Sequence, residues 1–137
     1  MLYVTRVEHF NAAHKLYNQN WSEEKNKEVF GKCANANWHG HNYELHVTVK
    51  GNINPDTGFV MNAKDLGDLI KNVIVEQVDH KNLNLDVPFM QGEFTSVENF
   101  AKAIWKQLKP EIDKHNVALH CVKLIETPRI YVEYFGE

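Results

Sequence analysis

The sequence predicts an α+β domain spanning residues 1–137, one antiparallel sheet with helices on one face. Three observations carry this. Residues 43–50 (YELHVTVK) alternate cleanly, with Tyr43, Leu45, Val47 and Val49 on one face and Glu44, His46, Thr48 and Lys50 on the other. Two stretches, beginning near Asn62 and Thr95, repeat apolar residues at helical spacing. Turn residues divide the remaining apolar segments into strand pairs, and strands joined by hairpins with helices between them give an antiparallel sheet covered on one side.

Taken in order, residues 2–14 read as extended and residues 43–50 as a half-buried strand. Pro55 and Gly58 in GNINPDTGF mark a turn into FVMN, which predicts a hairpin of two strands. Asn62 is the expected N-cap of a helix whose apolar stripe is Leu66, Leu69, Ile70 and Val73. Thr95 and Glu98 have capping-box spacing for a second helix through Val97, Phe100, Ala101, Ile104, Trp105 and Leu108, ending just before Pro110. Strands at about 117–126 and 130–135, separated by TPR, close the chain.

A length of 137 residues with 43% hydrophobic and 24% charged side chains suits one core and excludes a disordered or fibrous chain. The formal charge of -3, without long single-sign runs, leaves no footprint for nucleic acid or an anionic membrane. MLYVTRVEHF has neither the basic flank nor the apolar run of a signal peptide, so a cytoplasmic location is expected. There, Cys33 and Cys121 are expected to be reduced thiols.

The chemistry gathers at CANANWHGHNY, residues 33–43. In extended backbone, residues two apart share a face, so His39 and His41 can aim at one point while Gly40 leaves the opposite face bare. Two converging imidazoles suit zinc, and a catalytic zinc takes a third protein ligand. His14, closing the first extended segment after Ala12 and Ala13, is the leading candidate. A solvated histidine pair without metal has the same spacing. Cys33 is either a fourth, structural ligand or a small buried apolar group, and Cys121, inside ALHCVKL, fits the second description. No convergent partners are evident for His9, His46, His115 or His120. On residue type alone, Asp79 and His80 read as a loop after the first helix and Glu126 as an exposed strand-end carboxylate.

FNAAH, FGKC followed after five residues by HGHNY, then NPDTGFVMN, DHKNLN, TSVEN and the closing IET together resemble the 6-pyruvoyl-tetrahydropterin synthase family, which includes the 6-carboxy-tetrahydropterin synthases of the queuosine pathway. The resemblance runs from about residue 6 to the C-terminus. It implies a T-fold: a four-stranded antiparallel sheet with two helices on one side, trimers closing into a barrel, and two trimers stacking into a homohexamer with sites between subunits. It makes His14, His39 and His41 the ligands of Zn2+, Cys33 the catalytic thiol acting with Asp79 and His80, and Glu126 the anchor of the pterin ring. It also places Ser96, within TSVEN, on the substrate.

The implied reaction converts 7,8-dihydroneopterin triphosphate to 6-pyruvoyl-tetrahydropterin with loss of triphosphate. The alternative is the 6-carboxy-tetrahydropterin synthase reaction, which also releases acetaldehyde. A zinc- or pterin-binding oligomer without catalysis is disfavoured by the presence of Cys33, Asp79 and His80. Five residues between Cys33 and His39 match the pyruvoyl enzymes, where many 6-carboxy enzymes have three. Trp38, in place of a glycine common in the animal enzymes, and Val97, in place of a frequent second threonine, depart from the pattern. Lys15, Lys32 and Lys81 adjoin motif residues and are candidates for the triphosphate, with ordinary surface lysines as the plainer alternative.

Overall fold

The computed structural model describes residues 1–137. Its sheet is built on two long strands, β1 (Leu2–His14) and β2 (His39–Gly51), paired antiparallel along their whole length from Leu2 opposite Gly51 to His14 opposite His39. β4 (Ala118–Thr127) flanks the other side of β2, and β5 (Ile130–Tyr134) pairs antiparallel with β4. The chain between β1 and β2 carries a short helix, α1 (Glu23–Phe30), capped by the Ser22 side chain and followed by a 3-10 turn at Gly31–Ala34.

The sheet has five strands in the order β3-β1-β2-β4-β5, not the expected four. The fifth is β3 (Lys81–Asn82), parallel to β1 at Ala12 and Ala13. Two residues leave no periodicity to read; the partner strand defines β3. The hairpin strand expected at FVMN is absent, and residues 58–62 run as bends and irregular chain after a turn at 55–57. β2 is already paired on both edges, by β1 and β4, so a returning strand has no free hydrogen-bonding edge there.

One face of the sheet is covered. Phe10, Ala12, Tyr43, Leu45, Val47, Val49, Val122 and Leu124 point inward to the main core. Against them lies α2 (Ala63–Ile70), capped as expected by the Asn62 side chain, continuing through one wide π turn at Lys71–Val75 into α3 (Glu76–Val78). Leu66, Ile70, Ile74 and Val78 along this continuous rod are fully buried. Gly67 makes room for β1, since a Cβ there would stand 2.8 Å from the Arg6 guanidinium carbon.

The second covering helix, α4 (Val97–Ile112), buries Phe100, Ile104, Leu108 and Ile112. Its cap is Ser96, whose Oγ accepts from the Asn99 N–H at 3.3 Å, so the expected Thr95–Glu98 box is displaced by one residue. The helix also runs past Pro110 instead of ending before it. Proline in a last turn forfeits a backbone hydrogen bond and crowds the preceding turn; burial of Ile112 beyond it holds the turn closed. No helix is long and apolar enough to cross a membrane.

Candidate active site

The site lies where β1 ends and β2 begins. The inward-facing positions of β2 continue from Leu45 and Tyr43 back to His41 and His39, and those of β1 run from Phe10 and Ala12 to His14. The same alternation that fills the core therefore delivers three imidazoles at its rim. The ring centroids of His14 and His39 are 4.5 Å apart, those of His14 and His41 5.1 Å, and those of His39 and His41 5.0 Å. One nitrogen from each lies within 4.8 Å of the others. Gly40 points away between them, and a Cβ there would stand 3.4 Å from the Ala12 carbonyl oxygen.

Burial holds the His14 imidazole neutral down to about 4, and the neighbouring rings of His39 and His41 reinforce this against the bond to the Thr95 carbonyl. Burial likewise lowers His39, with His41 adding to it and Glu126 opposing, and burial lowers His41. Neutral imidazole is the ligating form. His14 Nδ1 lies 2.7 Å from the Thr95 carbonyl oxygen, an arrangement in which Nδ1–H donates and the lone pair of Nε2 faces the cluster. His14 Nε2, both ring nitrogens of His39 and His41 Nε2 are buried with no hydrogen-bond partner. Buried polar atoms are rarely left so, and four in one place with three neutral nitrogen donors fit a divalent metal such as zinc. Cys33 does not belong to this cluster, which leaves three protein donors rather than a closed set of four.

Glu126, near the end of β4, borders the cluster, with its two oxygens 4.0 Å from His14 Nε2 and 3.8 Å from His41 Nε2. Its side chain is 15% exposed, far from the open strand-end carboxylate that residue type alone suggests. Burial pushes its pKa up, opposed by His39 and assisted by Glu98. Cys33 lies in the 3-10 turn after α1, and its carbonyl accepts from the Leu16 N–H at 2.8 Å, which ties the turn to the exit of β1. Burial, with Glu126 adding to it, raises the Cys33 thiol, so within one chain it is not activated.

Asp79 and His80 form a pair, with Asp79 Oδ2 3.0 Å from His80 Nδ1. Asp79 Oδ1 accepts from the Asn11 N–H at 2.9 Å, and the His80 N–H donates to the Asn11 carbonyl at 2.6 Å. The Asn11 N–H, followed by His80, holds the Asp79 carboxyl below its usual range. The His80 side chain is 83% exposed, at a backbone φ of 60°, and no hydrogen bond joins the pair to Cys33 within the chain. Ser96, the expected substrate contact, serves as the α4 cap. Lys15 lies against aromatic rings, its ammonium 4.6 Å from the Trp38 centroid and 5.2 Å from that of Tyr17, while Lys32 and Lys81 are exposed. Trp38 itself adopts a φ of 66°, the left-handed region where a glycine is unstrained.

Three contributors escaped sequence reasoning. Thr95 supplies the carbonyl that orients His14, and its hydroxyl donates toward the Lys15 carbonyl at 3.2 Å and Asn84 Oδ1 at 3.0 Å. Asn84 in turn brackets Lys15, accepting from its N–H and donating to its carbonyl, both at 3.1 Å, and so fixes the chain just after His14. Tyr43 lies beneath the histidines, 1% exposed, with a hydroxyl that has no partner. DHKNLN and TSVEN contain Asn84 and Thr95, but neither string signals that its residue grips the backbone beside His14.

A family model described as 6-pyruvoyl tetrahydropterin synthase matches residues 3–137. The chain is 44% identical over 138 residues to the 6-pyruvoyl tetrahydrobiopterin synthase of Poecilia reticulata, covering 98% of this chain and 90% of the relative. It is 28% identical over 128 residues to the 6-carboxy-5,6,7,8-tetrahydropterin synthase of Haemophilus influenzae, covering 76% of this chain and 84% of that one. The solved structure of Caenorhabditis elegans 6-pyruvoyl tetrahydropterin synthase superposes with a TM-score of 0.89 at 35% identity, covering 99% of this chain and 96% of that one.

Proposed function

The chain belongs to the 6-pyruvoyl tetrahydropterin synthase family, and from that premise we propose that it is a zinc-dependent lyase that converts 7,8-dihydroneopterin triphosphate to 6-pyruvoyl-tetrahydropterin with elimination of triphosphate. The observation that carries this reading is the cluster of His14, His39 and His41, whose buried nitrogens have no partners and which a carboxylate borders on one side. His14, His39 and His41 would hold the metal. When bound, zinc supplies Lewis acidity that lowers the pKa of a side-chain hydroxyl of the substrate.

The protein's own groups do the remainder. Glu126 binds the pterin, accepting hydrogen bonds from its amino group and the adjacent ring N–H, which fixes the reacting carbons relative to the histidines. Cys33 moves protons on and off the substrate side chain, an internal redox rearrangement with no external oxidant or reductant. Because burial raises the thiol in the lone chain, we assign its activation to the Asp79–His80 pair of a neighbouring subunit. That pair is formed and faces solvent. The assembly we propose is a homohexamer, a dimer of trimers, and the exposed Tyr3, Val7 and Tyr131 favour such burial.

The 6-carboxy reaction is the second reading. The lower identity to the relative of that name and the five residues between Cys33 and His39 favour the first. Incubating the zinc-loaded protein with 7,8-dihydroneopterin triphosphate and identifying products by mass spectrometry decides. A 6-pyruvoyl product with inorganic triphosphate is expected; a 6-carboxy product with acetaldehyde selects the second reading, and unchanged substrate rejects both.

A further inference from the structure

Two groups at the floor of the site are each incomplete. Tyr43 is 1% exposed, packed by Phe10 with ring centroids 5.0 Å apart and by Phe100 at 5.5 Å, with its ring 5.6 Å from that of His41. Its hydroxyl is buried and has no hydrogen-bond partner. A tyrosine used only for packing would leave that hydroxyl at a free-energy cost that phenylalanine avoids. Glu126 is the other group: its oxygens stand 3.8 and 4.0 Å from the nearest imidazole nitrogens, beyond hydrogen-bond reach.

The ends of two neighbouring strands bring the two to one place. β2 pairs with β4 at Leu45 opposite Leu124 and ends at Glu44 opposite Ile125, so Tyr43 and Glu126 are the residues just beyond the last pair on each strand, Glu126 at the irregularity between Ile125 and Thr127. Tyr43 and Glu126 both border His41, whose ring centroid is 5.6 Å from that of Tyr43 and whose Nε2 is 3.8 Å from Glu126 Oε1. The nitrogens nearest the Glu126 oxygens are His14 Nε2 and His41 Nε2. Both are the atoms that would ligate a metal, and a ligating nitrogen donates no hydrogen bond. The hydroxyl of Tyr43, which burial and then the nearby charge of Glu126 keep protonated, is the buried donor left without a partner.

We infer that Tyr43 is a positioning residue for Glu126, its hydroxyl donating to one carboxylate oxygen in the metal-loaded protein and leaving the other oxygen to receive the ring N–H groups of the pterin. The role of Glu126 toward pterin rests on the function proposed above; the Tyr43–Glu126 bond does not. Tyr43 touches no substrate in this arrangement. It sets the orientation of the group that does, so its removal appears in binding rather than in the chemical step.

Two measurements test this. A crystal structure of the zinc-loaded protein without pterin is expected to show Tyr43 Oη within hydrogen-bond distance of a Glu126 oxygen; a water or another group on the hydroxyl, or Glu126 turned elsewhere, overturns the inference whatever the substrate. In solution, Tyr43→Phe is expected to keep full zinc content, raise KM for the pterin substrate about tenfold and leave kcat within about threefold. Combined with Glu126→Gln, it is expected to add little to the defect of Glu126→Gln alone. Unchanged KM in Tyr43→Phe, or a double variant whose defect is the product of the two single ones, overturns it. If the wild-type protein neither binds nor turns over the pterin, the functional reading fails, and the crystallographic result still decides the Tyr43–Glu126 bond.

Discussion

The Thr95 carbonyl oxygen lies 2.7 Å from His14 Nδ1, and that contact decides which nitrogen of His14 faces His39 and His41. A ring held from behind by a backbone acceptor presents Nε2 as a lone pair, oriented before any ligand arrives. Its burial keeps it neutral at physiological pH. The first strand, the loop before the last helix and the start of the second strand thus converge on one donor set.

Replacing His39 with Ala removes one of three donors. We expect loss of bound zinc and of turnover together, since two imidazoles lack the donor strength and geometry to retain the ion. Metal content by atomic absorption, measured beside the circular dichroism spectrum, separates this from unfolding.

Cys33→Ala is expected to keep zinc and bind the pterin nearly normally while turnover falls about 10²–10⁴-fold, the range for loss of a positioned proton-transfer group. Retained full turnover, or loss of the metal, would remove Cys33 from that role.

Glu126→Gln is expected to retain zinc and weaken pterin binding. The substitution replaces one acceptor oxygen with a donor facing ring N–H groups and leaves them unpaired, at about 1–3 kcal/mol. Isothermal titration with a non-reactive reduced pterin reads the change directly.

Mixing two inactive variants tests the shared site. If Cys33 and His80 act from neighbouring subunits, co-assembly of Cys33→Ala with His80→Ala rebuilds intact sites at roughly a quarter of the total by random assortment. Activity that stays at the level of the single variants after dissociation and reassembly would place both groups in one chain.

Acid should destabilise the metal-free protein. The buried His14 stays neutral until about 4, whereas an unfolded histidine takes up a proton near 6.5. Between those values the unfolded state binds more protons, so stability falls as pH drops through that window and levels off below it. The contribution of His14 is at most about 3 kcal/mol. Urea unfolding in the presence of a chelator at pH 7.5 and 4.5 reads His14 together with the like-signed His39 and His41 and the opposing Glu126, and lower stability at pH 4.5 is expected.

The parts of this fold written as periodic patterns were legible from the chain. Tyr43, Leu45, Val47 and Val49 alternate, and continuing the same alternation back to His39 and His41 places both rings on the buried side. The stripes of α2 and α4 were legible for the same reason. α1 was not: EEKNKEVF buries only Asn26, whose amide donates to the carbonyls of Asn18 and Ser22, each at 3.0 Å, so the segment lacks an apolar face. β3 was hidden because Lys81 and Asn82 become a strand only beside Ala12 and Ala13. Thr95 was misread because its contribution to His14 comes from a backbone carbonyl, which every residue has.

The π turn at Lys71–Val75 makes the rod from Ala63 to Val78 a gauge of rotational phase. Residues four apart on a regular α-helix drift by about 40° per step, since each residue advances about 100°. Leu66, Ile70, Ile74 and Val78 follow that spacing yet are all fully buried, because the wider turn gives back part of the drift. Tightening these same five residues to regular α-helix would restore the drift that the wide turn removes and rotate everything after it. Val78 would leave the core, and the Asp79–His80 pair would leave its seat on Asn11. One residue of helical slack at the middle of the chain therefore sets the direction in which an acid–base pair at the sheet edge points.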